Sequence, residues 1–222
     1  MLIKDKIKAV GYFYLLLLGI GFVLLTIIKS IDTFLVVEYY KLPSLLNHDV
    51  LRSVRILTNN NSFYMILLVA FVVPIVEETM FRLWLSLEAR HIAISFSAIL
   101  TYLLFGFKDL FKLNVMSLVI LLSFIVINLL IYWVLKGRDI AQYLNRFITI
   151  KLLGSISAIS FGLVHIANFA PLNTSIWFLY PIYVLPQMLL GYLTVQLRLK
   201  YGFIYAVGLH VLTNLVSVLM KL

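Results

Sequence analysis

Val115-Met116-Ser117-Leu118-Val119-Ile120-Leu121-Leu122-Ser123-Phe124-Ile125-Val126-Ile127-Asn128-Leu129-Leu130-Ile131-Tyr132-Trp133-Val134-Leu135 is an apolar run with no charged residue and no alternation of apolar and polar positions. About 20 apolar residues in a helix cross the roughly 30 Å hydrocarbon core of a bilayer. A barrel strand would instead show about 10 residues with a period of two. Lipid offers the backbone no hydrogen-bond partners, so such a run must satisfy its own amides as a helix. Six further stretches read the same way, near 9–28, 63–86, 91–107, 152–170, 175–197 and 202–220. The sequence therefore predicts an all-α, polytopic transmembrane helical bundle of about seven spans, a single integral membrane domain over residues 1–222.

Composition leads to the same class. Of the 222 residues 63% are hydrophobic and 12% charged, with a mean hydropathy of +1.06, against about 25% charged in an ordinary soluble domain. Too few polar groups are present to cover a water-facing surface, and the lipid bilayer becomes the expected partner. The net charge of +9 sits in short clusters between apolar runs. There the basic residues anchor helix ends and face anionic headgroups, so no nucleic acid is implied. Cysteine is absent, which excludes disulfides and thiolate metal sites.

Lys4, Lys6 and Lys8 precede an apolar run from Ala9 to Ile28. It exceeds the roughly 7–15 residues of a signal-peptide core, and no A-x-A site follows, so it reads as an uncleaved first span. More Lys and Arg fall on the membrane side that holds the N-terminus (Lys4, Lys6, Lys8, Arg90, Lys136, Arg138, Arg146, Lys151, Arg198 and Lys200) than on the other (Lys29, Lys41, Arg52, Arg55, Lys108, Lys112 and Lys221). That bias predicts a multi-pass protein of the cell membrane with a cytoplasmic N-terminus. Two mixed segments, Ser30 to Asn61 and Lys136 to Lys151, read as interfacial amphipathic helices with linkers.

Three spans carry polar groups where lipid penalises them, and such groups are functional candidates. The second contains Pro74-Ile75-Val76-Glu77-Glu78-Thr79-Met80-Phe81-Arg82. Glu78 and Arg82 are four apart and can pair on one helix face. Glu77 lies about 100° around the helix and lacks that partner, as suits a general base. Pro74 removes a helical hydrogen bond and opens the span there. The fifth span contains Phe161-Gly162-Leu163-Val164-His165, with Phe161 and His165 on one face and Gly162 allowing close helix approach. The seventh contains His210-Val211-Leu212-Thr213-Asn214, again a spacing of four, which turns both polar groups to one cavity.

Each pattern alone also describes a helix end or an interhelical hydrogen bond worth about 0.6 kcal/mol. Depth connects them. Glu77 lies about 14 residues, or 21 Å, from the outer start of its span, and His210 about 8 residues, or 12 Å, from the inner start of its own. In a layer of about 30 Å these agree. His165, about 13 residues or 20 Å from an inner start at Leu152, comes out shallower, towards the outer side. Pro181 and Pro186, beside Gln187, predict a kink in the sixth span that widens a cavity, and Asn128 reads as helix–helix glue.

Glu77-Glu78-x-x-x-Arg82, Phe161-x-x-x-His165 and His210-x-x-x-Asn214 resemble, in order and on separate spans, the three motifs of the CPBP family of CAAX prenyl proteases and bacteriocin-processing enzymes, also called Abi. The stretch between them, within a core of about 63–220, is similar to that family's helical core. The resemblance implies an intramembrane endopeptidase acting on a peptide or membrane-protein substrate. Glu77 would activate water with help from His165, and His210 and Asn214 would bind the oxyanion. Arg82 would hold Glu78 and shape the site, with Phe161 supporting it.

Metal chemistry stays open at this point. Glu77, His165 and His210 could bind zinc with one position left for water, while H-E-x-x-H is absent. The expected cofactor is none or zinc, with the metal-free mechanism favoured. Two other functions fit the same polar groups. One is a non-proteolytic scaffold or bacteriocin-immunity protein that binds a peptide or partner. The other is a small transporter using Glu77 and the histidines as a proton relay.

Overall fold

The computed structural model describes residues 3–47, 51–106, 110, 114–144 and 146–221. Lys108 and Lys112, used above for orientation, and the predicted end of the third span at residue 107 lie outside the described residues. Every regular element among the described residues is helical. In chain order the α-helices are α1 (Ile3–Ile31), α2 (Arg52–Leu57), α3 (Ser62–Ile66), α4 (Val73–Phe81), α5 (Ala89–Phe105), α6 (Val115–Leu135), α7 (Ile140–Leu144), α8 (Ile150–Val164), α9 (Tyr180–Tyr183), α10 (Leu185–Tyr201) and α11 (Phe203–Leu219).

Several of these join end to end. Five continuous helical segments are long and apolar enough to cross a membrane: Ile3–Tyr39, Ser62–Phe81, Val115–Leu135, Ile150–Phe169 and Thr174–Tyr201. The other two predicted spans are the apolar helices Ala89–Phe105 and Phe203–Leu219, of 17 residues each, or about 25 Å at 1.5 Å per residue.

Three boundaries differ from the sequence reading. The first helix does not stop near residue 28; α1 continues into a π-helical segment, Asp32–Tyr39. Asp32, which reads as an interfacial charge, is instead buried. Its carboxylate accepts hydrogen bonds from the Tyr183 hydroxyl at 2.5 Å and the Leu45 N–H at 3.1 Å. The helix bearing Glu77 ends at Phe81 rather than running to 86, and a 3-10 turn over Leu83–Ser86 follows. Among the described residues of the mixed segments the separate α-helices are short, α2 with 6 residues and α7 with 5, too short for a sustained amphipathic stripe.

Helix α10 lies at the centre, packed against α8, α11 and α1. Lipid tails are as apolar as leucine, so helices in a membrane associate through close packing of small residues. Gly154, Ala158 and Gly162 recur every four residues along α8 and face α10. A Cβ at Gly162 would stand 2.1 Å from Met188 Cγ and 3.0 Å from Met188 N; one at Gly154 would stand 2.6 Å from Val195 Cγ1. This is the close approach expected of Gly162. At the edge, α6 packs against α5 and turns most of its surface outward, with Leu118, Leu129 and Trp133 exposed by 56%, 60% and 68%.

Candidate active site

The polar core is built on α4, and its position follows from how that helix starts and stops. Upstream, Leu67–Val72 forms a π-helical turn, and the Val73 N–H bonds the Leu68 carbonyl five residues back. Pro74 sits in the first turn of α4, where its missing N–H is tolerated. Downstream, a helix end leaves carbonyls without intrahelical partners, and inside a membrane they need donors. Three neighbouring helices supply them. Ser95 Oγ on α5 donates to the Thr79 carbonyl at 2.7 Å, Ser157 Oγ on α8 to that of Phe81, and Arg198 Nε on α10 to that of Arg82 at 3.4 Å.

Between these ends stand the two acids. Glu78 points inward and is fully buried, while the Glu77 side chain keeps 22% of its exposure. Arg82 is fully buried as well. Its Nε lies 3.5 Å from Glu78 Oε2, and its guanidinium stacks on the Phe161 ring at 4.0 Å. That stacking suits a weakly hydrated planar cation. The space comes from Gly191, where a Cβ would stand 2.9 Å from Arg82 Nη2 and 3.1 Å from Phe161 Cδ1.

Both histidines reach Glu77. His165 opens the 3-10 turn His165–Phe169 at the end of α8, and His210 lies on α11. His165 Nε2 is 3.7 Å from Glu77 Oε1, and His210 Nε2 is 3.4 Å from Glu77 Oε2. The depth discrepancy for His165 is thus absorbed by the fold. Phe161 packs in a T-shaped arrangement with both imidazoles, with ring centroids at 4.6 Å for His165 and 5.5 Å for His210.

The opposite ring nitrogens are tied. His165 Nδ1 lies 2.7 Å from the Phe161 carbonyl oxygen and His210 Nδ1 2.9 Å from Glu78 Oε1. A carbonyl and an ionised carboxylate only accept, so each Nδ1 carries the hydrogen. In the neutral ring, Nε2 is then a bare acceptor. Two imidazole acceptors and one carboxylate therefore face one another. Such a trio suits a water molecule, which has two O–H groups to give. A histidine that gains a proton at Nε2 becomes a donor instead. The donor types also suit zinc, yet no group of three or more His, Asp or Glu side chains among the described residues is arranged to hold a metal ion.

Asn214 lies on the same helix as His210 and reaches the segment that leads into α4. Its Nδ2 donates to the Val69 carbonyl at 3.0 Å, in the π-helical turn upstream of Pro74. A cavity of about 120 Å³ adjoins the site, and Val73, Val76, Tyr102 and Val164 line it together with Glu77 and His165. Pro181, Pro186 and Gln187 are not among its lining residues. The two prolines start α9 and α10, and the break falls at Val184 between those helices. Asn128 Nδ2 is buried without a hydrogen-bond partner, so it does not glue helices through that group.

Sequence reasoning missed Ser95, Ser157, Arg198, Gly191 and the buried Asp32. The spacing of Gly154, Ala158 and Gly162 was a readable sign of the α8–α10 contact; the serines gave none. Comparison with family models, curated proteins and solved structures finds no match to this chain.

Proposed function

We propose that this chain is an intramembrane endopeptidase in which Glu77 activates water, in line with its resemblance to the CPBP family. The observation that carries the reading is the Glu77 carboxylate standing between the Nε2 atoms of two histidines at 3.7 and 3.4 Å. Water held by Glu77 and His165 gives a proton to the carboxylate as its oxygen attacks the peptide carbonyl. The C–N bond then breaks, and the same proton passes to the departing amine. His210, carrying a proton at Nε2, donates to the oxyanion. Glu78 holds its other nitrogen, and Arg82 offsets the charge of Glu78. Donors of this kind are worth about 3–4 kcal/mol in a site shielded from water. The metal-free route is favoured because Glu77 and His165 accept the two hydrogens of one water while His210 is left to donate.

The reading takes the seven apolar stretches as seven crossings of the cell membrane, with a cytoplasmic N-terminus. Two groupings support it. Ser44 and Leu45, after the first stretch, share a cavity with Pro171 and Asn173, after the fifth. Glu88 and Arg90, after the second, share one with Arg138 and Asp139, after the fourth. Seven crossings put each pair on one side. The substrate is a peptide or membrane protein. A cavity of about 120 Å³ falls below the roughly 300–1,000 Å³ of a drug-sized site, so it suits one apolar side chain beside the scissile bond.

Mass spectrometry of membrane peptides incubated with wild-type and Glu77→Gln protein, with and without chelator, tests this. The expected result is Glu77-dependent cleavage that falls about 10²–10⁴-fold in the variant and ignores the chelator. Undiminished cleavage by Glu77→Gln would end the assignment.

A further inference from the structure

Asn214 and Glu77 do not touch among the contacts around the site, yet a chain of bonds links them through the start of α4. In the π-helical register the Val73 N–H reaches the Leu68 carbonyl. The next carbonyl in that register, Val69, would take its hydrogen from residue 74. Residue 74 is proline and has none. A carbonyl orphaned inside a membrane protein is costly, and Asn214 Nδ2 fills the gap at 3.0 Å from a helix 145 positions away in sequence.

The turn matters for where the acids point. Buried positions run Met65, Ala70, Pro74 and Glu78, a step of five across the π-helical turn and steps of four after it. An extra residue in a turn rotates everything beyond it by about 100° relative to a continuous α-helix. Without the wide turn, the face presenting Glu77 and Glu78 would not continue the buried face of α3.

We propose that Asn214 is a positioning residue: its amide gives Val69 the hydrogen bond that Pro74 cannot, holding the wide turn that aims Glu77 at the two histidines. This rests on the endopeptidase reading and assigns Asn214 a different part in it from oxyanion binding.

The test is a double-mutant cycle on the full-length protein in detergent or liposomes: wild type, Pro74→Ala, Asn214→Ala and the double variant. Pro74→Ala returns an N–H at residue 74. A turn that instead reverts to α-helix hands Val69 the Val73 N–H but swings Glu77 away by about 100°, and shows itself as a slow Pro74→Ala single variant. Either way Val69 regains a donor from its own helix. Misplacing a catalytic group costs about 10²-fold, so Asn214→Ala alone should lower kcat by that order. The double variant should recover about tenfold or more of the loss. Where Pro74→Ala alone keeps its kcat, a double variant as slow as Asn214→Ala would overturn the proposal and return Asn214 to direct contact with the oxyanion. Where Pro74→Ala is itself slow, the melting cycle below decides.

The cycle is also run on Tm, which needs no turnover. Asn214→Ala should lower Tm in the wild-type background and by much less beside Pro74→Ala; equal losses in both backgrounds would likewise overturn it. Asn214→Leu, of similar volume and without a donor, replaces Asn214→Ala if that variant does not accumulate. Absence of Glu77-dependent cleavage in wild type would sink the endopeptidase reading alone and leave the Tm cycle to judge the bond.

Discussion

Arg82 brings a full charge to a place sealed from solvent, and its surroundings explain how. Glu78 gives it an opposite charge at 3.5 Å, Phe161 a ring face at 4.0 Å, and Gly191 the room. Removing one partner of a buried ion pair strands the other, at a cost of about 3–5 kcal/mol. Arg82→Ala should therefore lower thermal stability steeply in detergent, and Arg82→Lys should rescue little, because an ammonium cannot stack as the planar guanidinium does. A lysine variant as stable as wild type would show that the ring face contributes nothing. Asp32 offers a contrast. Asp32→Asn keeps an oxygen acceptor for the Leu45 N–H and Tyr183 hydroxyl, whereas Asp32→Ala leaves both without one. The alanine variant should be the less stable by about 1–3 kcal/mol, readable from the two melting curves.

Helices α8 and α10 are held at a distance that only small residues allow. At Gly162 an added methyl meets Met188 backbone, which cannot step aside; at Gly208 it meets nothing within 4 Å. Gly162→Ala should cost about 1–3 kcal/mol through overpacking, while Gly208→Ala should be neutral or gain up to about 1 kcal/mol of helix propensity. Thermal melts of the two variants check the contrast. Elements of this kind were legible to different degrees. Apolar runs announced the helices, and charges in lipid announced Glu77, Glu78, Arg82 and the two histidines, because few other reasons place such groups there. Serines carried no such signal. Ser95 and Ser97 sit two apart on α5, yet Ser97 bonds its own helix at Ala93 and Ser95 reaches across to Thr79. Nothing local separates them; only the neighbouring helix does. The wide turn before Pro74 was half legible, since the proline marked a defect while the cure lay on α11.

Across the whole molecule the absence of cysteine is an experimental advantage. Single cysteines at Ser44 and Asn173 should react with an impermeant thiol reagent from outside intact cells. Those at Lys136 and Lys200 should react only after the membrane is opened. The reverse pattern would invert the orientation, and a mixed one would change the number of crossings. The same global view gives the polar core a history. Its ties join residues 76, 116, 132 and 145 apart in sequence. A nascent chain enters the bilayer span by span, and until the segment bearing His210 arrives, Glu77 has only part of its company. Half-made protein thus lacks the complete polar core. The endopeptidase proposed above would stay latent during biogenesis through the order in which its helices arrive.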